Sequence, residues 1–184
     1  MTQPLKRHLV LIGLMGSGKS SVGRYLSGVT GIPFVDTDAL VEAHERKRVR
    51  EIFADSGEEY FRELEHEMIG KTMLETTPSI VATGGGAIIR EANRKLLWQH
   101  GFVVYLQAGI DLLLERTSRN SSRPLLSISD PRLKLEELLA SRAPYYEQAD
   151  LICPVSAKNI QEVGEFILAV WKKSAHFPAA GSGT

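Results

Sequence analysis

Cysteine is nearly absent from this chain: Cys153 is the only one in 184 residues. An internal disulfide and a cysteine-rich zinc site are therefore excluded. Set in "DLICPV", Cys153 reads as a small buried core residue. The histidines, His8, His44, His66, His100 and His176, are scattered and show no metal-ligand spacing. An excess of charge of either sign is also missing, with Lys plus Arg and Asp plus Glu at 22 each. That argues against a general nucleic-acid or membrane surface, so any anion site must be a local cluster. No apolar run approaches the ~20 residues of a membrane span. The opening "MTQPLKRHLVLIG" carries a basic pair before an apolar run too short for a signal sequence, and it reads as a first strand. The cytoplasm is the expected compartment. Internal repeats and linkers are lacking, so one domain is expected over residues 1–174, with a loose tail over 175–184.

What is present is an alternation. Apolar runs at 8–12, 33–36, 79–83, 102–106 and 151–155 do not alternate with polar residues, as expected for a parallel sheet buried on both faces. Helical stretches fill the gaps. One runs from Lys19 to about Val29 and stops at Gly31. Another begins near Ser56, whose spacing to Glu59 suits a capping box. A third, "EANRKLLWQH", is closed by Gly101. A fourth opens on Asp130 and Pro131, with a break expected at Pro144. The last spans about 159–173. The pattern is that of a doubly wound α/β layer. The Ser- and Arg-rich stretch from Thr117 to Asp130 reads either as a solvated loop or as a mobile lid.

"GLMGSGKS", Gly13 to Ser20, follows the first strand and opens the first helix, the context that gives a P-loop its meaning. Glycines such as Gly13, Gly16 and Gly18 let backbone N–H groups turn toward phosphates, and the helix start adds donors and partial positive charge. Lys19 reaches the terminal phosphates, and Ser20 offers a hydroxyl to Mg²⁺. The Asn-Lys-x-Asp guanine reader of GTP switches does not occur. "SAK" at 156–158 reads as the turn before the last helix.

"FVDTD" ends on Asp36 and Asp38, which in an extended segment point the same way. Asp36 suits a metal, and Asp38 suits an acceptor hydroxyl that it orients and deprotonates. Alternatively, Asp38 only caps the helix "DALVEAHE". Arg62 and Glu65, in "FRELE", are one helical step apart. They read as a steadied guanidinium or as a surface pair worth little. Gly84, Gly85 and Gly86 after the third apolar run suggest close approach of a ligand to the backbone. Arg123 lies in "SRPLL" and Arg142 in "SRAPYYE".

In this order and spacing, "GLMGSGKS", "DTD", "FRELE", "GGG", "RPLL" and "RAPYYE" closely resemble the shikimate kinase family over residues 6–173. The resemblance implies a three-layer α/β/α P-loop kinase fold, with a five-stranded parallel sheet of order 2-3-1-4-5 and a lid over about 117–130. It implies transfer of the ATP γ-phosphate to the 3-hydroxyl of shikimate, with Mg²⁺ held by Ser20 and Asp36. It assigns Asp38 to the shikimate hydroxyls, and Arg62 and Arg142 to the carboxylate. Gly84, Gly85 and Gly86 would lie beside the acid, and Phe53 and Phe61 would be apolar walls. Arg123 would meet the transferring phosphate, and Arg116 would pack on adenine. Ser17 and Ser21 complete the expected ATP contacts, and Lys19, Asp38 and Arg123 the catalytic set. The expected partners are ATP and shikimate only, and the expected state is a monomer. A gluconate-type kinase, a nucleoside monophosphate kinase and a nucleotide-binding domain without phosphotransfer are the competing readings.

Overall fold

The computed structural model describes residues 7–118, 130–156, 158–174 and 176–178. The strands are β1 (His8–Ile12), β2 (Phe34–Asp36), β3 (Ile80–Ala82), β4 (Gly101–Gln107) and β5 (Leu151–Pro154). The helices are α1 (Lys19–Thr30), α2 (Thr37–Glu45), α3 (Val49–Leu74), α4 (Glu91–His100), α5 (Ile110–Ser118), α6 (Pro131–Tyr146) and α7 (Ile160–Lys173). A 3₁₀ turn covers Ala87–Ile89. The strands form one sheet in the order β2-β3-β1-β4-β5, with every pairing parallel. Central β1 is buried throughout, and β4 is buried except at Gln107. This is why their sequences lack alternation.

Several helix ends follow from their sequence. Gly31 closes α1 in the left-handed region, at φ 73°. Asp130 caps α6 by accepting from the Leu133 N–H, with Pro131 in the first turn. Gly101 closes α4 as expected, from an extended backbone with φ −122°. A Cβ there would overlap the Val10 side chain, so packing against β1 is what requires glycine. Two expectations need correction. First, α3 starts at Val49, where the Glu51 carboxylate accepts from the Arg48 N–H at 2.7 Å. Near Ser56 lies only a break at Gly57, whose φ of 84° and ψ of 173° interrupt the helix. Second, Pro144 does not break α6, which continues to Tyr146. Pro144 stands two residues before the end of α6 and costs it the single bond that an N–H there would give to the Ala140 carbonyl.

Residues 176–178 turn back onto the body. The Phe177 ring meets Trp171 edge-on at 4.9 Å, and Lys172 lies over its face.

At the start of β1, His8 is fully buried and its Nδ1 is 2.8 Å from the Ser79 hydroxyl. Burial lowers its pKa, against partial support from the backbone at Glu75 and Met73. The unfolded chain therefore takes up a proton that the folded chain resists. Stability is fully present above the unfolded value of about 6.5 and falls as the pH drops from there toward the lowered native value. A plot of melting temperature against pH should bend downward in that window. In His8→Gln the bend should disappear.

Candidate active site

The P-loop joins β1 to α1. Gly13, Gly16 and Gly18 have φ of 142°, 80° and 101°, which L side chains rarely adopt. Lys19 is buried, and its Nζ donates to the carbonyls of Gly13 at 2.8 Å and Leu14 at 3.0 Å. The Ser20 hydroxyl donates to Asp36 Oδ2 at 2.7 Å. From α5, Arg116 Nη1 reaches the Gly16 and Ser17 carbonyls at 3.2 and 3.4 Å. Beside the loop opens a cavity of about 360 Å³, bordered by Gly16, Gly18, Ser21, Arg116 and Ile160. Ile160, the first residue of α7, carries no sequence signal. Only the fold brings it opposite Arg116.

Asp36 and Asp38 do not share an extended segment. Asp36 ends β2, whereas Asp38 stands in the first turn of α2. The capping role belongs to Asp36, whose Oδ1 accepts from the Asp38 N–H at 3.1 Å. Both aspartates face the P-loop cavity, and both also face a larger one of about 700 Å³. They form the wall between the two.

The larger cavity gathers Phe53, Phe61, Arg62, the glycine run and Arg142. The Gly57 break in α3 separates the segment bearing Phe53 from the one bearing Phe61, Arg62 and Glu65. The two phenyl rings meet at 4.8 Å. Arg62 Nη1 donates to Glu65 at 2.8 Å and Nη2 to Glu58 at 3.0 Å. Glu65 is fully buried, so the pair is no surface ornament. Burial pushes the Glu65 carboxyl up and Arg62 pulls it back. For Arg62, burial works against the charge, but Glu65 and Glu58 outweigh it and hold the guanidinium charged. Arg142, 6% exposed, donates through Nη1 to the Gly85 carbonyl at 3.1 Å.

The glycine run permits this convergence. A Cβ on Gly84 would overlap Glu65 and Asp38, and one on Gly86 would overlap the Arg62 guanidinium. The close approach is made by the site's own side chains. The Gly84 N–H also donates to Thr37 Oγ at 3.1 Å, which ties the turn to α2. Gly86→Ala should displace the end of Arg62 while leaving the fold. We expect about a hundredfold loss in kcat/KM for an acid substrate. ATP affinity should be nearly unchanged, as steady-state kinetics will show. Arg123 and positions 119–129 of the expected lid lie outside the described residues, whereas Thr117 and Ser118 belong to α5 and Asp130 caps α6.

Among the described residues no group of three or more His, Cys, Asp and Glu side chains is arranged to hold a metal. Ser20 and Asp36 do supply adjacent hard oxygens. A divalent cation there would take its remaining ligands from phosphates and water, the coordination Mg²⁺ favours. No helix among the described residues is long and apolar enough to cross a membrane.

A parallel sheet of this order, a P-loop after its central strand and a second cavity across two aspartates define a P-loop kinase. A family model for shikimate kinase matches residues 15–172. Shikimate kinase of Chromobacterium violaceum is 42% identical over 96% of this chain and 96% of its own length. That of Rhizobium meliloti is 44% identical over 90% of this chain and 86% of its own. The solved structure of shikimate kinase from Acinetobacter baumannii in complex with shikimate superposes with a TM-score of 0.86 at 35% identity, covering 89% of this chain and 92% of that one. The chain belongs to the shikimate kinase family.

Proposed function

We propose that this protein transfers the terminal phosphoryl group of ATP to the 3-hydroxyl of shikimate, giving shikimate 3-phosphate for chorismate and aromatic amino-acid synthesis. The observation that carries the reading is the shared wall: Asp36 and Asp38 border both the P-loop cavity and the arginine-lined one. Nucleotide and acid then meet across two carboxylates.

The P-loop N–H groups and Lys19 bind the phosphates, with Gly13, Gly16, Ser17, Gly18, Ser20 and Ser21 around them, and Arg116 packs on adenine. Ser20 and Asp36 would hold Mg²⁺, which would offset charge on the phosphate oxygens. Arg62 and Arg142 fork the carboxylate of shikimate. Phe53, Phe61 and Gly84 to Gly86 shape the pocket. Asp38 accepts a hydrogen bond from the 3-hydroxyl, orients its oxygen toward phosphorus and takes its proton as the new O–P bond forms. The bond from phosphorus to the ADP oxygen breaks, and ADP leaves. Arg123 offsets charge on the transferring group. The protein acts as one monomeric kinase domain over residues 1–174, in the cytoplasm.

A coupled ADP-release assay with shikimate, gluconate and nucleoside monophosphates tests this. We expect release with shikimate far above the acceptor-free background. Release with gluconate or a nucleotide instead would overturn the assignment.

A further inference from the structure

Tyr146 was not among the residues singled out from sequence, yet it sits behind the candidate clamp. It is fully buried at the end of α6, one helical turn beyond Arg142 on the same face. Its ring stacks on Tyr105 of β4, with centroids 4.8 Å apart and planes 13° from parallel. Its hydroxyl donates to the Gly85 carbonyl at 2.7 Å, the same oxygen that accepts from Arg142 Nη1 at 3.1 Å. The phenol and the guanidinium thus share one acceptor.

We propose that Tyr146 is the positioning residue for Arg142, fixing the guanidinium so that its remaining N–H donors point into the acid cavity. This inference rests on the shikimate reading of that cavity.

The geometry is a fork on one oxygen. A carbonyl oxygen has two lone pairs, and here each has its own donor. The phenol holds the Gly85 peptide in place, and that carbonyl in turn holds Nη1 of Arg142. One edge of Arg142 is thereby fixed, while Nε, buried, has no hydrogen-bond partner among the described residues. Burial pushes the phenol pKa up, so the hydroxyl stays a donor throughout the working range. A buried arginine loses side-chain freedom before any substrate arrives, so less ordering remains to oppose binding. The ring itself is held by Tyr105, which is placed by the sheet. Orientation thus passes from β4 through two stacked rings to the clamp.

Tyr146→Phe keeps the stacked ring and removes only the hydroxyl. We expect KM for shikimate to rise about tenfold, the effect of losing one buried hydrogen bond that steadies the acceptor of Arg142. kcat and KM for ATP should change by less than a factor of about two, and the melting temperature should stay within a few degrees. The decisive comparison is the double substitution. In an Arg142→Ala background, Tyr146→Phe should add almost nothing, because its effect passes through the arginine. An unchanged shikimate KM in Tyr146→Phe overturns the inference. So does a tenfold effect that persists without Arg142, or one shared equally by ATP. If the wild-type protein does not phosphorylate shikimate, it is the functional reading that fails.

Discussion

Asp38→Asn is expected to lower kcat by about 10²- to 10⁴-fold while ATP binding stays near the wild-type level. Asparagine has almost the shape of aspartate and still accepts a hydrogen bond, but it cannot take a proton at neutral pH. The separation of roles rests on geometry. Asp36 is engaged by Ser20 at 2.7 Å and caps α2, whereas Asp38 stands one residue into that helix, on the wall shared with the acid cavity. Calorimetric titration with ATP beside steady-state turnover separates binding from chemistry. A parallel loss of ATP affinity would put Asp38 in the metal-nucleotide shell.

Arg62→Ala should weaken shikimate binding by about 2–5 kcal/mol, with ATP affinity far less affected. On the proposed reading the variant loses one prong of the carboxylate clamp. It also strips the partner from Glu65, which has no exposure to water. Burial already raises the Glu65 pKa, and Arg62 is the main influence holding it down. Without Arg62 the carboxyl will bind a proton far more readily in the folded than in the unfolded chain. When the folded state binds more protons, stability falls as pH rises. The variant should therefore be most stable at or below the ordinary carboxylate range and lose stability as pH rises through the raised Glu65 value. Melting curves across pH measure this. Unaltered shikimate affinity by calorimetry would mean the clamp is misassigned.

Local chemistry decided what could be read from the sequence. The P-loop was legible because glycines, a lysine and a serine at fixed spacing need only a strand before them and a helix after. The strands were legible because a sheet buried on both faces leaves no polar alternation. The N-terminus of α2 misled, because the chain passes from β2 into the helix with no loop. The capping role then falls one step earlier, on Asp36 rather than Asp38. The Gly57 break hid for a similar reason: a single left-handed glycine inside an otherwise helical pattern leaves the periodicity nearly intact. Glu65 could be seen as a partner of Arg62, but not as a buried one. Its burial arises where α3 crosses the glycine turn after β3, a contact between distant segments. Ile160 and Tyr146 were invisible for the same reason. Nothing local marks an isoleucine that opens a helix, or a tyrosine whose hydroxyl meets a carbonyl 61 residues away.

The most direct test is a crystal structure with shikimate and a non-hydrolysable ATP analogue bound together. It should show the carboxylate between Arg62 and Arg142, and the 3-hydroxyl on Asp38 facing the terminal phosphate above Lys19. An acid seated elsewhere, or one whose hydroxyl points away from the P-loop, would contradict the account.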